Sequence, residues 1–98
     1  MYMQFEEVLT GKLSDNLSFK KPFTIKLEVN KGEWECYETE TFKGGQIVGR
    51  AYTKDKAIKR FKELLALRYE EWLKQEADGT INDIDKTYIL DYLKEYIE

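Results

Sequence analysis

The change from strand-like to helix-like periodicity at Thr53 constrains the fold of this chain more than any other feature. Before it, apolar and polar residues alternate over residues 23–29, which is typical of a strand with one buried and one solvated face. After it, apolar residues recur at helical spacing as far as Leu73. Residues 23–73 are therefore predicted to form the core of the fold.

Two further strands are predicted between the first strand and Thr53, over residues 33–41 and 46–52. The glycine-containing connection at residues 30–32 and the reversal at residues 42–45 are short, so successive strands should be antiparallel neighbours. Gly49 and Ala51 fall on one face of the third strand. Their small size leaves room for the helix that follows to cross this face.

The long helix is predicted to begin after Thr53, a good N-cap residue, with Asp55 placed favourably near the positive helix end. We expect it to end at residues 76–78, with Gly79 beyond it. Its apolar stripe is predicted to contain Ala57, Ile58, Phe61, Leu64, Leu65, Tyr69 and Trp72, with Arg68 contributing its aliphatic stem. A second helix is predicted over residues 82–97, capped by Asn82 or Asp83.

The N-terminal extension, residues 1–22, is less clearly patterned. Its first nine residues alternate weakly, which fits an edge strand or a short helix, and Pro22 suits the entry to a strand. The predicted fold is a single α+β domain over residues 1–98. It has a three-stranded antiparallel sheet packed on one long helix (β-β-β-α) and an additional C-terminal helix.

The composition narrows the classes of partner. The chain has 19 acidic and 16 basic residues and a net charge of −3. Direct nucleic-acid binding is therefore disfavoured, whereas a basic protein partner would be attracted. The N-terminus does not resemble a signal peptide, and no apolar run approaches the length of a membrane span. We expect a cytoplasmic protein with no membrane association and no small-molecule substrate.

The residue types also bear on catalysis. The chain has no histidine, which excludes Ser-His-Asp and Cys-His arrangements, and Cys36 fits a small buried residue in a strand. Residues 78–81 are similar to part of a calcium-binding loop, but Lys74 stands where the first carboxylate ligand is required. The prediction is a protein that is not an enzyme, with no catalytic residues, no cofactor and no metal site.

The strand-to-helix junction carries a resemblance to a known family. The run from Ile47 to Ile58, IVGRAYTKDKAI, is similar to the G-x-G-x-T-x-x-E-A-I junction of the HicB-like antitoxins, with Ala51 and Lys56 at the second Gly and the Glu. Trp34-Glu35-Cys36-Tyr37 matches the aromatic second strand of that family, and the resemblance covers residues 23–69. It implies a partly degraded ribonuclease-H-like fold and a protein that binds and neutralises a small RNA-cleaving toxin.

This resemblance and the acidic charge define two functional hypotheses. The first is a non-enzymatic HicB-like antitoxin or interaction protein that covers a basic face of its toxin. The second is a small acidic phage or mobile-element protein that inhibits a host nucleic-acid enzyme. The residues of the second strand predicted to contact the partner, from their expected exposure and their charge, are Glu35, Tyr37 and Glu38. An uncovered sheet edge at residues 23–29 or 46–52 would favour a homo-oligomer.

Overall fold

The computed structural model describes residues 2–38 and 47–98, which form a four-stranded antiparallel sheet, one long helix and a short C-terminal helical segment. The strands lie side by side in chain order: β1 (Tyr2–Lys12), β2 (Ser18–Asn30), β3 (Glu33–Tyr37) and β4 (Val48–Ala51). The long helix is α1 (Lys54–Asp78). The α+β class is confirmed. The predicted number of strands is wrong, because the N-terminal extension supplies a fourth.

The N-terminal extension is a strand rather than a helix, and it pairs with β2 along most of its length. The pairing shifts between Leu9, which stands opposite Phe23, and Gly11, which stands opposite Phe19. Pro22 lies in this irregular stretch, where its missing N–H interrupts no regular ladder. β2 can therefore begin at Ser18, before the proline that the sequence suggested as the entry to the strand.

The connection between β2 and β3 is a two-residue turn rather than the predicted three-residue one. Asn30 pairs with Glu33, and the residues between them, Lys31 and Gly32, have φ values of +54° and +83°. Two positive φ values suit a turn whose twist matches the strands. β3 ends at Tyr37, and β4 runs only from Val48 to Ala51. The predicted strand residues 39–41 and 46 and the turn 42–45 lie outside the described residues.

Both ends of α1 agree with the prediction. The Thr53 hydroxyl accepts a hydrogen bond from the Lys56 backbone N–H at 3.3 Å. At the other end, Gly79 has a φ of +74°, and the N–H of Thr80 donates to the Gln75 carbonyl at 2.8 Å. The second bond, from Gly79 N–H to the Glu76 carbonyl at 3.2 Å, completes a Schellman motif. Local sequence signals alone thus define the helix limits.

The core lies between α1, the inner face of the sheet and the C-terminal segment. α1 contributes Ala57, Phe61, Leu65, Ala66, Tyr69 and Trp72. It crosses the sheet at Gly49, where an added Cβ would lie 2.3 Å from the Ala57 carbonyl oxygen. The predicted crossing point is therefore confirmed. The assignment of Leu64 to the core stripe is wrong. Its side chain is 40% exposed, because it lies on a side of the helix that extends past the edge of the sheet.

The C-terminal segment is less regular than the predicted helix over residues 82–97. A π-helical turn (Asp85–Leu90) continues into the short α-helix α2 (Asp91–Lys94). The side-chain oxygen of Asn82 accepts from the Asp85 N–H at 2.8 Å, so the predicted cap is formed. After α2 the backbone extends, and Ile97 forms an antiparallel bridge with Phe19. None of the helices in the described ranges is long and apolar enough to span a membrane.

Candidate functional site

The most distinctive polar surface is the open face of the sheet, the face turned away from α1. The strand register places Gln4, Glu28, Glu35 and Arg50 in one row across the four strands. Side chains in such a row lie within contact distance of their neighbours. We call this surface the open face, and Glu28 is at its centre.

Three side chains donate hydrogen bonds to one oxygen of the Glu28 carboxylate. The Tyr37 hydroxyl donates at 2.6 Å, the Tyr2 hydroxyl at 2.7 Å and the Gln4 amide at 3.0 Å, all to Oε1. The donors come from β1 and β3, so Glu28 on β2 joins three strands. Hydrogen bonds to a charged acceptor are stronger than those between neutral groups. The cluster fixes the positions of two tyrosine rings on an otherwise exposed surface.

These bonds change the acid–base properties of the cluster. Hydrogen bonds from Tyr37 and then Tyr2 lower the pKa of Glu28, against a smaller opposing effect of burial. The hydrogen bond to Glu28 is also the main reason that the pKa of Tyr2 is raised. For Tyr37, burial raises the pKa first and the bond to Glu28 adds to it. At neutral pH the cluster is therefore one carboxylate held by two protonated tyrosines.

The lowered pKa of Glu28 should make the free energy of unfolding depend on pH in the acidic range. A carboxylate whose pKa is lower in the folded than in the unfolded chain stabilises the fold above its ordinary pKa, near 4.5, and this contribution is lost as the pH falls through the folded value. The free-energy difference between wild type and Glu28→Gln should therefore shrink on acidification below that range. Urea unfolding followed by circular dichroism, repeated from neutral to acidic pH, measures it.

The control for this experiment is Tyr37→Phe. It keeps the carboxylate but removes the largest cause of its shift, so this variant should lose less stability on acidification than wild type does. Unfolding free energies of wild type and Glu28→Gln that stay parallel over the whole pH range would contradict the role assigned to Glu28.

A groove of about 380 Å³ adjoins this cluster. It is lined by three carboxylates, one ammonium, two tyrosines and an asparagine: Glu28, Glu33, Glu35, Lys31, Tyr2, Tyr52 and Asn30. Tyr2 and Tyr52 are 58% and 79% exposed. Arg50 Nε lies 3.5 Å from the Glu35 carboxylate, in a solvent-exposed pair that contributes little stability. The groove offers hydrogen-bond acceptors and aromatic contact area to a cationic side chain.

Two of the three predicted contact residues lie on the open face. Glu35 lines the groove, and Tyr37 belongs to the Glu28 cluster. The expected exposure of Glu38 is wrong, since it is only 3% exposed. By strand alternation Glu38 falls on the side of Trp34 and Cys36, opposite Glu35 and Tyr37, so its charge and not its position suggested exposure. It borders a separate cleft that Lys26 and Tyr92 also line.

The sequence did not identify Tyr2, Gln4 and Tyr52 as part of this surface. The first two depend on the register between β1 and β2, which alternation alone does not specify when the strand itself is ambiguous. Glu28 was assigned correctly to the solvated face of its strand. Its place at the centre of a cluster follows only from the neighbouring strands, which the sequence pattern does not align.

The described part of the chain contains one thiol, that of Cys36. Cys36 is fully buried on the inner face, and burial raises the pKa of its thiol to about 12. The thiol therefore stays protonated and apolar in character, as the sequence suggested. Among residues 2–38 and 47–98, no group of acidic or cysteine side chains is arranged to hold a metal ion.

Comparison with known proteins assigns no family. The chain matches no model of a protein family, and no curated protein or solved structure is significantly similar to it.

Proposed function

We propose that this protein is a non-enzymatic, HicB-like antitoxin that binds a small basic RNA-cleaving toxin through the open face. The observation that carries the proposal is the groove, whose lining carboxylates Glu28, Glu33 and Glu35 outnumber its lining cation Lys31, even with Arg50 beside Glu35 at its margin. The toxin must bind polyanionic RNA, so its RNA-binding face is basic. An acidic face that covers it both attracts the toxin and excludes the RNA.

The tyrosines make this surface suited to a protein partner. Tyr2 and Tyr52 present large, mostly exposed rings at the groove, and tyrosine is enriched in protein interfaces. Tyr37 and Tyr2 are held in place by Glu28, so little side-chain freedom is lost when a partner binds. The carboxylates would give the complex its specificity and fast association, and the rings would give it contact area.

The binding experiment uses charge reversal in the groove. The proposal implies that a neighbouring gene encodes a small basic ribonuclease. The double variant Glu33→Lys/Glu35→Lys should weaken binding to that ribonuclease by about tenfold or more, since attraction becomes repulsion. The double variant should also fail to inhibit RNA cleavage by the ribonuclease. Calorimetric titration and a gel assay of RNA cleavage measure the two effects, and wild-type affinity should fall as salt is added.

The matched control is Asp83→Lys/Glu95→Lys, which makes the same change in net charge at exposed positions away from the groove. It should bind and inhibit as wild type does. Wild-type protein that neither binds the neighbour-encoded ribonuclease nor reduces its RNA cleavage would refute the antitoxin proposal. Equal losses of binding in both double variants would show that the groove is not the surface that binds the toxin.

The same groove supports a second candidate function. Its three carboxylates would occupy a phosphate-binding surface, as expected of a small acidic phage or mobile-element protein that inhibits a host nucleic-acid enzyme. The two functions differ in the partner. Inhibition of a host polymerase or nuclease, with no effect on a neighbour-encoded toxin, would support this alternative.

A further inference from the structure

We propose that two copies of this chain associate through α1, packed antiparallel about a two-fold axis near Leu64 and Leu67. This surface lies apart from the open face, and the inference is independent of the proposed function. It concerns the flank of α1 beside β4, where Val48, Arg50, Arg60, Glu63, Leu64 and Leu67 line a groove of about 440 Å³. We call this surface the α1 flank.

The apolar part of the α1 flank is its centre. Leu64 and Leu67 are 40% and 56% exposed, although both belong to a helix whose inner face is fully buried. They are three residues apart and therefore adjacent on the helix surface. β4 below them pairs with β3 on one side only, and in residues 2–38 and 47–98 no strand covers its other edge. Of the two sheet edges suggested by the sequence, the strand containing residues 23–29 is covered by β1.

The charge distribution along α1 identifies the occupant as a second copy. Residues 54–62 contain five basic residues and one acidic residue, whereas residues 63–78 contain five acidic and two basic. Antiparallel packing places the basic half of one helix against the acidic half of the other, twice. A parallel arrangement would oppose like charges along the whole length. An interface that repeats the same patch on both copies is the usual form of a homodimer.

Helix geometry pairs particular residues. When the axis passes midway between Leu64 and Leu67, the Leu64 of one copy faces the Leu67 of the other, and Arg60 faces Glu71. Positions 60, 64, 67 and 71 follow helical spacing and share this flank. Arg60 and Glu71 are both exposed. They lie three turns apart in one helix, too far to contact each other within a protomer.

The first test is the mass of the full chain in solution. Sedimentation equilibrium from micromolar to millimolar concentration should show a species of twice the 11.7-kDa protomer mass. Leu67→Asp should give the protomer alone, with an unchanged circular dichroism spectrum, because the position is exposed. Tyr88→Asp, at a residue exposed elsewhere, should dimerise as wild type does. A wild-type chain that stays monomeric throughout, or a Leu67→Asp variant that still dimerises, overturns the proposal.

The second test depends on the ion pair between copies. Arg60→Glu and Glu71→Arg should each weaken dimerisation about tenfold, because each creates a like-charge pair across the interface. The double variant Arg60→Glu/Glu71→Arg restores opposite charges and should return to about the wild-type dissociation constant. Since the two residues do not touch within one protomer, recovery can arise only between copies. A double variant as weak as the two single variants refutes the antiparallel arrangement.

Discussion

Gly49→Ala is expected to reduce the free energy of unfolding by about 3 kcal/mol or more. The new Cβ would lie 2.3 Å from the Ala57 carbonyl oxygen and 2.4 Å from the Phe61 backbone nitrogen. Both atoms belong to the helix backbone, so no side-chain rotation can relieve the collision. α1 would have to move away from the sheet along its contact with β4. Chemical denaturation followed by tryptophan fluorescence measures the loss.

The control for Gly49 is Gly79→Ala. There the added Cβ meets nothing within 4 Å, and only the left-handed φ of +74° opposes the substitution, which costs about 1 kcal/mol. The difference between the two variants isolates the collision with the helix. Equal losses for both would mean that α1 does not rest on Gly49 as closely as the structure shows.

Phe23→Ala is expected to cost about 4 kcal/mol. Phe23 is fully buried, and its ring packs against aromatic rings of three elements: Phe19 at 5.3 Å, Phe61 at 6.4 Å and Tyr96 at 5.5 Å between centroids. Truncation would leave a cavity between the sheet, α1 and the C-terminal segment. The thermal unfolding midpoint and the urea midpoint should both fall.

Tyr88→Ala is the comparison for Phe23→Ala, because it removes an aromatic ring of similar size that is mostly exposed. Its effect should stay within about 0.5 kcal/mol. If Phe23→Ala were no more destabilising than Tyr88→Ala, the aromatic cluster could not be the centre of the core.

The helix limits and the crossing point were predictable because their causes are local. Thr53 and Gly79 act through hydrogen bonds within a few residues, and a glycine in a strand beside a helix indicates a close approach. The fourth strand was not predictable with the same certainty. The weak alternation of the first nine residues fits two structures, and only pairing with β2 makes the strand the stable one.

The candidate site shows the same limit. Alternation placed Glu28, Glu35 and Tyr37 on a solvated face, but the cluster depends on the register that joins β1, β2 and β3. Glu38 was misplaced because its charge suggested exposure, although alternation puts it on the face of Cys36, opposite Glu35 and Tyr37. Leu64 was misplaced because helical periodicity shows only which way a side chain points. It does not show whether the sheet extends far enough to cover that side chain.

The bridge between Phe19 and Ile97 has a consequence for the order of folding. The hairpins and α1 bring together residues that are close in sequence, so these contacts form fast. The bridge instead joins the beginning of β2 to Ile97, which is far from it in sequence. The backbone bonds of Ser18 and Lys20 to residues 96–98 must wait for the same event. During synthesis on the ribosome, the sheet and α1 can therefore form first. The beginning of β2 gains its second partner only after residues 96–98 have emerged.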